Sequence, residues 1–287
     1  MPRGTRHLLL AVLALLAAAC TRLAYVNAPL AYSQAPHLAA WTVEGYVDLS
    51  REQKEWLHAR LDRAMAWHRS QELPRYASFL ESVAQRSDRA FTDEEVQEAW
   101  ADVRADYRRV VEHLLPDAAI LLASLDEEQL AHLQRRFDEE NRKFVRESTR
   151  GTPAERSARV ADKMEAHLKE WVGPLDARQS AIVAAWARSM PALVEERLAD
   201  RRYRQSQAIA LARTRDRQRI ADGLHRILID TDAWRSPELG AKLEAREQST
   251  LHMIAVLSGT LSAAQRAHLR ERIGGYVKDV ARLTTGA

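Results

Sequence analysis

The chain has 287 residues, with 43 Lys and Arg against 40 Asp and Glu, so its net charge is only +3. A charge this small gives no global attraction for nucleic acid, and we expect no nucleic-acid partner. Gly and Pro number only 10 and 9, whereas the good helix formers Ala, Leu, Arg and Glu are abundant. No extended run of alternating β-branched residues predicts a strand. The composition therefore predicts an all-α fold, an irregular multi-helix bundle with no sheet.

The first 19 residues have the parts of an export signal. Arg3 and Arg6 precede the apolar run Leu8–Ala19, and Cys20, the single cysteine of the chain, follows it. As a helix, a run of this length spans about 18 Å, which is well short of the roughly 30 Å hydrocarbon core of a bilayer. The run is therefore interpreted as a signal peptide and not as a membrane span.

The segment Leu16-Ala17-Ala18-Ala19-Cys20 resembles the lipobox of bacterial lipoproteins, although Ala17 stands where Leu is commonest. In that family the leader is removed just before the cysteine, which carries acyl chains such as palmitate. The resemblance implies a signal peptide over 1–19 and lipid attachment at Cys20. Lipoproteins kept at the inner membrane usually carry Asp after the cysteine, and Thr21 stands there instead, which favours the inner leaflet of the outer membrane, facing the periplasm. The alternative is an ordinary signal peptide with a chance cysteine near its cleavage site.

Cleavage before Cys20 would leave 268 residues with a net charge of +1 and no second cysteine for an internal disulfide. Pro29 and Pro36 interrupt the next stretch. We therefore expect residues 20–45 to form a lipid-anchored tether with a short helix near His37–Val43, followed by a helical body over 46–285.

A five-residue motif, Leu-[Ser/Asp]-x-x-Gln, then occurs four times. The Ser or Asp can accept a hydrogen bond from a free amide of the first helical turn, and the Gln can reach back, so each copy predicts a helix start. Apolar residues four and eight positions after each Gln predict one buried helix face. The copies are Leu49–Gln53, Leu125–Gln129, Leu175–Gln179 and Leu261–Gln265, and a weaker relative covers Phe91–Glu95. Matching the first two copies to the last two suggests halves 46–174 and 175–285, although any helical bundle could reuse good caps.

We expect one long helix around 176–230, and kinks or breaks where Pro74, Pro116 and Pro191 interrupt helical patterns. If 176–230 is continuous, six arginines fall within about 40° of one line at 100° per residue. This basic stripe is a hypothetical contact for an anionic partner. Its members are Arg197, Arg201, Arg204, Arg215, Arg219 and Arg226. The alternative is a solvated face balanced by acids on neighbouring helices.

The stretches YVDLSREQ (46–53) and WHRSQELPRYASFL (67–80) resemble a family of uncharacterised proteobacterial lipoproteins. The resemblance extends over most of the chain after the leader. It implies a lipid-anchored helical protein and no established activity. The Leu-[Ser/Asp]-x-x-Gln motifs are also similar to those of the small Spy-type periplasmic chaperones, over five residues at a time, which suggests an alternative role as an envelope-stress holdase.

Catalytic patterns are sparse. Glu55 and His58 match half of a di-iron Glu-x-x-His arrangement, but the further carboxylates are not identifiable, and no Gly-x-Ser-x-Gly elbow or Gly-rich phosphate loop is present in the sequence. The aromatic and cationic cluster at 67–76 is interpreted as packing at a kinked helix corner. We therefore expect no enzymatic activity, metal or cofactor, and a metal-dependent enzyme built on Glu55 and His58 is the weakest alternative.

The function expected from the sequence is binding by a lipid-anchored envelope protein. Its partner would be a protein or an anionic component, such as lipid phosphates or cell-wall carboxylates. The sequence leaves the oligomeric state open.

Protein extracted from cells should begin at Cys20 and carry the mass of attached acyl chains, because the leader is cleaved at a lipobox-like boundary. Intact mass spectrometry of the full product measures this directly. Cys20→Ser should remove the acyl mass and release the protein from the membrane fraction. A product that keeps residues 1–19, or one that starts with a free thiol, would contradict the lipoprotein interpretation.

Overall fold

A computed structural model describes residues 32–285, and every regular element in this range is a helix, which confirms the all-α class. The leader, Cys20 and the tether up to residue 31 lie outside the described residues. No helix within 32–285 combines the length and the hydrophobicity needed to cross a membrane. The α-helices are α1 Ala35–Glu44, α2 Arg51–Trp67, α3 Leu73–Arg86, α4 Asp93–Ala123, α5 Glu127–Thr149, α6 Pro153–Val172, α7 Ala177–Ser189, α8 Val194–Arg213, α9 Arg217–Leu228, α10 Pro237–Ser258 and α11 Ala263–Thr285.

All four Leu-[Ser/Asp]-x-x-Gln motifs begin a helix, as predicted, at the starts of α2, α5, α7 and α11. In the third copy, Asp176 accepts from the amide of Gln179 at 2.8 Å, and the amide of Asp176 donates to Gln179 Oε1 at 3.0 Å. The same two bonds form in each of the other copies. Each motif thus satisfies amides that a helix start otherwise leaves free.

The apolar positions that follow each motif are buried, which confirms the predicted helix face. The residues four after the Gln are Leu57, Leu133, Val183 and Leu269, and the residues eight after it are Leu61, Phe137, Ala187 and Ile273. One side of each motif helix is therefore fixed in a core.

The chain forms two compact units, each assembled from three segments. Among the described residues, the first unit comprises 32–70, 105–148 and 194–236, and the second comprises 71–104, 149–193 and 237–285. This division differs from the sequential halves 46–174 and 175–285. The first unit contains motif copies one and two, and the second contains copies three and four.

A reciprocal pair of glutamines joins the two motif helices of the first unit. Gln53 Nε2 donates to Gln129 Oε1 at 3.2 Å, and Gln129 Nε2 donates back to Gln53 Oε1 at 2.6 Å. Each amide also donates to the carbonyl that precedes the other motif. Gln53 reaches Ser124 O at 3.1 Å, and Gln129 reaches Asp48 O at 2.7 Å.

The second unit repeats this arrangement with α7 and α11. Gln179 and Gln265 exchange Nε2 to Oε1 bonds of 2.9 Å in both directions. Gln265 also donates to Pro174 O at 2.8 Å, and Gln179 donates to Thr260 O at 3.2 Å. The motif is therefore a coupler of two helix starts as well as a cap.

Two other capping boxes use Glu in place of Gln and are not paired in this way. Thr152 and Glu155 cap α6, and Thr92 and Glu95 cap α4. Glu95 instead forms an ion pair with Arg89, and the hydrogen bond from Arg89 lowers the pKa of Glu95 to about 2. A carboxylate has no N–H to donate, so only the Gln boxes can exchange bonds with a second motif.

Helix pairs enclose the core of each unit. In the first unit α1 packs on α2, and α8 packs on α9; in the second, α7 packs on α6 and α10, and α11 packs on α3 and α6. Val183 and Leu257 lie in one core cluster of the second unit, and Leu269 and Ile273 lie in another. The apolar stretches 114–125 and 251–261 supply buried residues to the fold.

The predicted long helix around 176–230 is wrong, because the segment forms three helices, α7, α8 and α9. Pro191 lies in the first break, between α7 and α8. The residue before it, Met190, has an extended backbone conformation with ψ 120°. In the second break Arg215 has a positive φ of 55°, and Asp216 caps α9 by accepting from the Arg219 amide at 3.1 Å. The chain can then fold back, and Gly223 lies so close to α8 that an added Cβ would come within 2.4 Å of Leu211.

The other two prolines differ in effect. Pro74 stands in the first turn of α3, directly after the π-helix His68–Glu72, so the pattern is split there as expected. Pro116 lies inside α4, which continues through it to Ala123.

Replacing one paired glutamine by glutamate should destabilise the fold while keeping the cap. Gln179→Glu leaves Gln265 Oε1 and Thr260 O without their donor at a site with 0% exposure, so we expect the free energy of unfolding to fall by roughly 3 kcal/mol. Urea unfolding followed by circular dichroism measures the loss. It should shrink in acid, where protonation of the introduced carboxyl restores one donor.

The matched control makes the opposite change in an unpaired box. Glu155→Gln at the start of α6 should alter the free energy of unfolding by less than about 1 kcal/mol, since it removes only a favourable charge at a helix N-terminus. Equal effects of the two substitutions would show that the reciprocal bonds do not stabilise the second unit.

Candidate functional site

The six arginines of the predicted basic stripe do not share one line, which corrects that prediction. Arg197, Arg201 and Arg204 belong to α8, Arg215 lies in the turn, and the remaining two belong to α9. Because α8 and α9 are separate helices that pack against each other, angular positions calculated for one continuous helix do not apply to them.

Arg201 lies inside the first unit, with 6% of its surface exposed. Its Nε donates to Asn141 Oδ1 at 3.1 Å, and its guanidinium lies 5.1 Å from the ring centre of Phe144. Asn141 in turn donates to Gln205 Oε1 at 2.7 Å. Burial lowers the pKa of Arg201, and the nearby Tyr46 and Glu140 oppose that shift. Arg201 is therefore buried between α5 and α8 in contact with Asn141 and Phe144, with the carboxylate of Glu140 nearby.

Arg204 is also engaged within the first unit. It forms an ion pair with Asp200, and the same carboxylate accepts from Arg235 Nε at 3.1 Å. Burial lowers the pKa of Arg204, and the charge of Asp200 opposes that shift. The nearly buried carboxylate of Asp200 thus pairs with two guanidinium groups. Arg204 therefore forms an internal contact of the first unit.

The other four stripe arginines are exposed. Arg197 lies over Phe144 at 5.7 Å, and Arg215 donates to Ala123 O at 3.5 Å. Binding of a partner by these four exposed arginines, Arg197, Arg215, Arg219 and Arg226, stays a prediction.

The first unit instead brings a different set of arginines together. A cleft of about 410 Å³ lies along α5 and α8, lined by Asp138, Asn141, Arg142, Val145, Arg146 and Arg202. Arg142, Arg146 and Arg202 are exposed. Within residues 32–285, none of these three has an acidic side chain within ion-pair distance.

The electrostatics of this cleft favour an anion. Its three arginines and one aspartate give the lining a net charge of +2. Asn141 is 4% exposed and holds the buried Arg201, which adds positive potential close to the cleft. Guanidinium groups bind phosphate and carboxylate oxygens through two parallel N–H···O bonds. We term the cleft lined by these residues the basic cleft.

Sequence reasoning missed the basic cleft. One signal was visible, because Arg142 and Arg146 are four residues apart and so share a helix face. No local signal showed that Arg202 would lie beside them, since that depends on how α8 packs. The neighbouring Arg201 was predicted to point outward, and the structure buries it.

Glu55 and His58, the residues of the metal hypothesis, each lie beside a different charged side chain in the structure. Glu55 forms an ion pair with Arg51 at 2.8 Å, and His58 lies 3.7 Å from Glu44. Over 32–285 no group of three His, Cys, Asp or Glu side chains is placed to hold a metal ion.

The aromatic and cationic corner packs as predicted. Trp67 stacks on His113 with ring centres 3.7 Å apart, and Arg69 lies 5.7 Å from the ring centre of Tyr32. The Tyr32 hydroxyl also lies 2.9 Å from His68 Nδ1, at the first residue of the π-helix. These contacts stabilise the corner in the first unit.

Comparison with known proteins gives a family and no activity. No curated protein and no solved structure matches the chain. A family profile matches residues 45–239, which include three of the four motifs and the whole lining of the basic cleft. The chain therefore belongs to a family of unknown function, DUF6279.

Proposed function

We propose that this protein is a non-enzymatic, lipid-anchored component of the bacterial cell envelope that binds an oxyanion-bearing partner in the basic cleft. The lipobox-like segment ending at Cys20 supports the anchor. The proposed location is the inner leaflet of the outer membrane, facing the periplasm.

The observation that carries the binding function is the convergence of Arg142, Arg146 and Arg202 on one concave surface with a single aspartate, Asp138. Within the described chain none of the three arginines forms an ion pair. Elsewhere in the first unit, arginines near acids form ion pairs, as Arg204 and Arg235 do with Asp200. Three guanidinium groups on one cleft repel one another, and a bound anion would relieve that repulsion.

The geometry favours a ligand with phosphate or carboxylate groups. Arg142 and Arg146 are one turn apart on α5, and Arg202 approaches from α8, so an oxyanion between them could be held from two helices. Val145 adds an apolar wall, and Asn141 forms a polar floor whose amide is already positioned by Gln205. In the envelope, such groups occur on lipid phosphates and on the carboxylates of cell-wall peptides.

A chaperone-like holdase stays a prediction from the motif alone. The four Gln side chains that suggested it are engaged in pairs inside the units. No described contact specifically favours client binding over anion binding.

Reversing the charge of the basic cleft should abolish anion binding. The purified lipidated protein in detergent would be titrated calorimetrically with pyrophosphate and with a glutamate-rich peptide, as phosphate and carboxylate probes. We expect Arg142→Glu/Arg146→Glu/Arg202→Glu to weaken binding of the preferred probe at least about tenfold. Binding by the unchanged protein should also weaken as salt increases.

The matched control is Arg215→Glu/Arg219→Glu/Arg226→Glu, which changes the net charge equally at exposed stripe positions. It should retain binding, with circular dichroism showing that both variants are folded. Equal losses in the two variants would indicate non-specific attraction, and a loss only in the control would place the site on the stripe. Either result would overturn the basic cleft as the binding site. So would a failure of the unchanged protein to bind either probe.

A further inference from the structure

Helix α1, which follows the proposed lipid anchor closely in sequence, presents an apolar outward face. Trp41 is 75% exposed and Leu38 is 42% exposed. Three residues apart on a helix, the two side chains lie on the same face. Trp41 is the most exposed of the large exposed apolar side chains among the described residues.

The opposite face of α1 accounts for its packing. Ala35, Ala39, Ala40 and Val43 are buried, and α1 packs on α2. Small side chains allow this close approach, so the fold does not need Leu38 or Trp41 for its core. Their exposure leaves a large apolar surface in water, which is unfavourable in proportion to its area.

The outward face of α1 also carries no carboxylate, Lys or Arg. The two titratable residues of the helix are His37 and Glu44. Glu44 lies 3.7 Å from Lys54 Nζ and 3.7 Å from His58 Nε2, both on α2. The ring of His37 lies 6.1 Å from that of His58. Glu44 therefore faces α2. His37 is exposed and lies one turn before Trp41, so placing this side of α1 against the headgroup layer would bury no carboxylate, Lys or Arg.

The one hydroxyl group of α1 is already satisfied. The hydroxyl of Thr42 donates to the carbonyl of Leu38 at 2.7 Å within the helix. Trp41 itself suits a membrane surface, because its ring is apolar and its indole N–H can reach the headgroup layer. The chemistry of this face thus matches a lipid interface.

The short segment between Cys20 and α1 indicates which membrane α1 would contact. Ala35 begins α1 only 15 residues after Cys20, and such a segment spans at most about 50 Å when fully extended. A lipid on Cys20 would therefore keep α1 at a high local concentration next to one membrane.

We infer that α1 lies on the membrane that holds Cys20, with Leu38 and Trp41 inserted at the level of the lipid headgroups. The inference rests on the lipid anchor of the proposed function and is independent of the basic cleft. Because the acyl chains already provide attachment, the contact of α1 orients the first unit on the membrane.

The test uses a fluorescent probe in the full lipidated protein, reconstituted in phosphatidylethanolamine and phosphatidylglycerol vesicles. Cys20 is the single cysteine of the chain, so when its sulfur carries lipid, Trp41→Cys offers one free thiol for an environment-sensitive dye. Val160→Cys on α6 is the matched control, since Val160 is also an exposed apolar side chain, at 37%. Nitroxide-labelled lipids quench dyes at the headgroup level, and iodide quenches dyes in water.

We expect nitroxide lipids to quench the dye at position 41 at least roughly threefold more than at position 160, as for an interfacial helix about 5–10 Å deep in the headgroup region. Iodide should show the reverse order. If intact mass spectrometry shows that Cys20 is acylated and lipid quenching is equal at the two positions, the membrane contact of α1 is overturned but the lipid anchor is retained. Shielding of position 41 from both quenchers would indicate a protein contact and would also overturn it. An unmodified Cys20 would remove the anchor and the inference together.

Discussion

The reciprocal glutamine pair is the interaction on which each unit depends. A Gln amide is suited to it because its oxygen accepts from the cap amide of its own helix while its nitrogen donates twice across the junction. In the second unit those donations go from Gln179 to Gln265 Oε1 and to Thr260 O. Both helix starts are therefore fixed to each other at a point where backbone groups would otherwise be left unpaired. Glutamate, which caps α4 and α6 equally well, could not form the pair.

This coupling also explains how the basic cleft is positioned in the first unit. The pair at Gln129 fixes the beginning of α5, and the buried Leu133 and Phe137 fix the rotation of the helix about its axis. From this fixed helix, Arg142 and Arg146 line the basic cleft together with Arg202 of α8. The cap and the candidate site are thus connected by a single rigid helix of 23 residues.

Helix α8 carries both a buried arginine and an exposed one that lines the basic cleft. Arg201 and Arg202 are adjacent in sequence and so point about 100° apart on a helix. The first is buried against Asn141 and Phe144, where loss of hydration lowers its pKa, and the second lines the cleft. A buried cation is tolerated here because Asn141 and the face of Phe144 replace part of its hydration. The same Asn141 forms the cleft floor, which connects the interior charge to the surface that would bind an anion.

The sequence by itself determined the helical class, the four capped helix starts and the buried positions that follow them, because caps and amphipathic faces depend on residues within two turns. It also favoured the breaks at Pro74 and Pro191, since proline acts on its own backbone. It did not determine that α8 and α9 are separate helices, because the positive φ of Arg215 has no residue-type signal. Only the tertiary structure decided which motifs pair, which arginines are buried and that Arg202 meets Arg142 and Arg146. Those outcomes depend on contacts between residues far apart in the chain, such as Gln129 with Gln53 and Arg201 with Asn141, and local patterns carry no information about them.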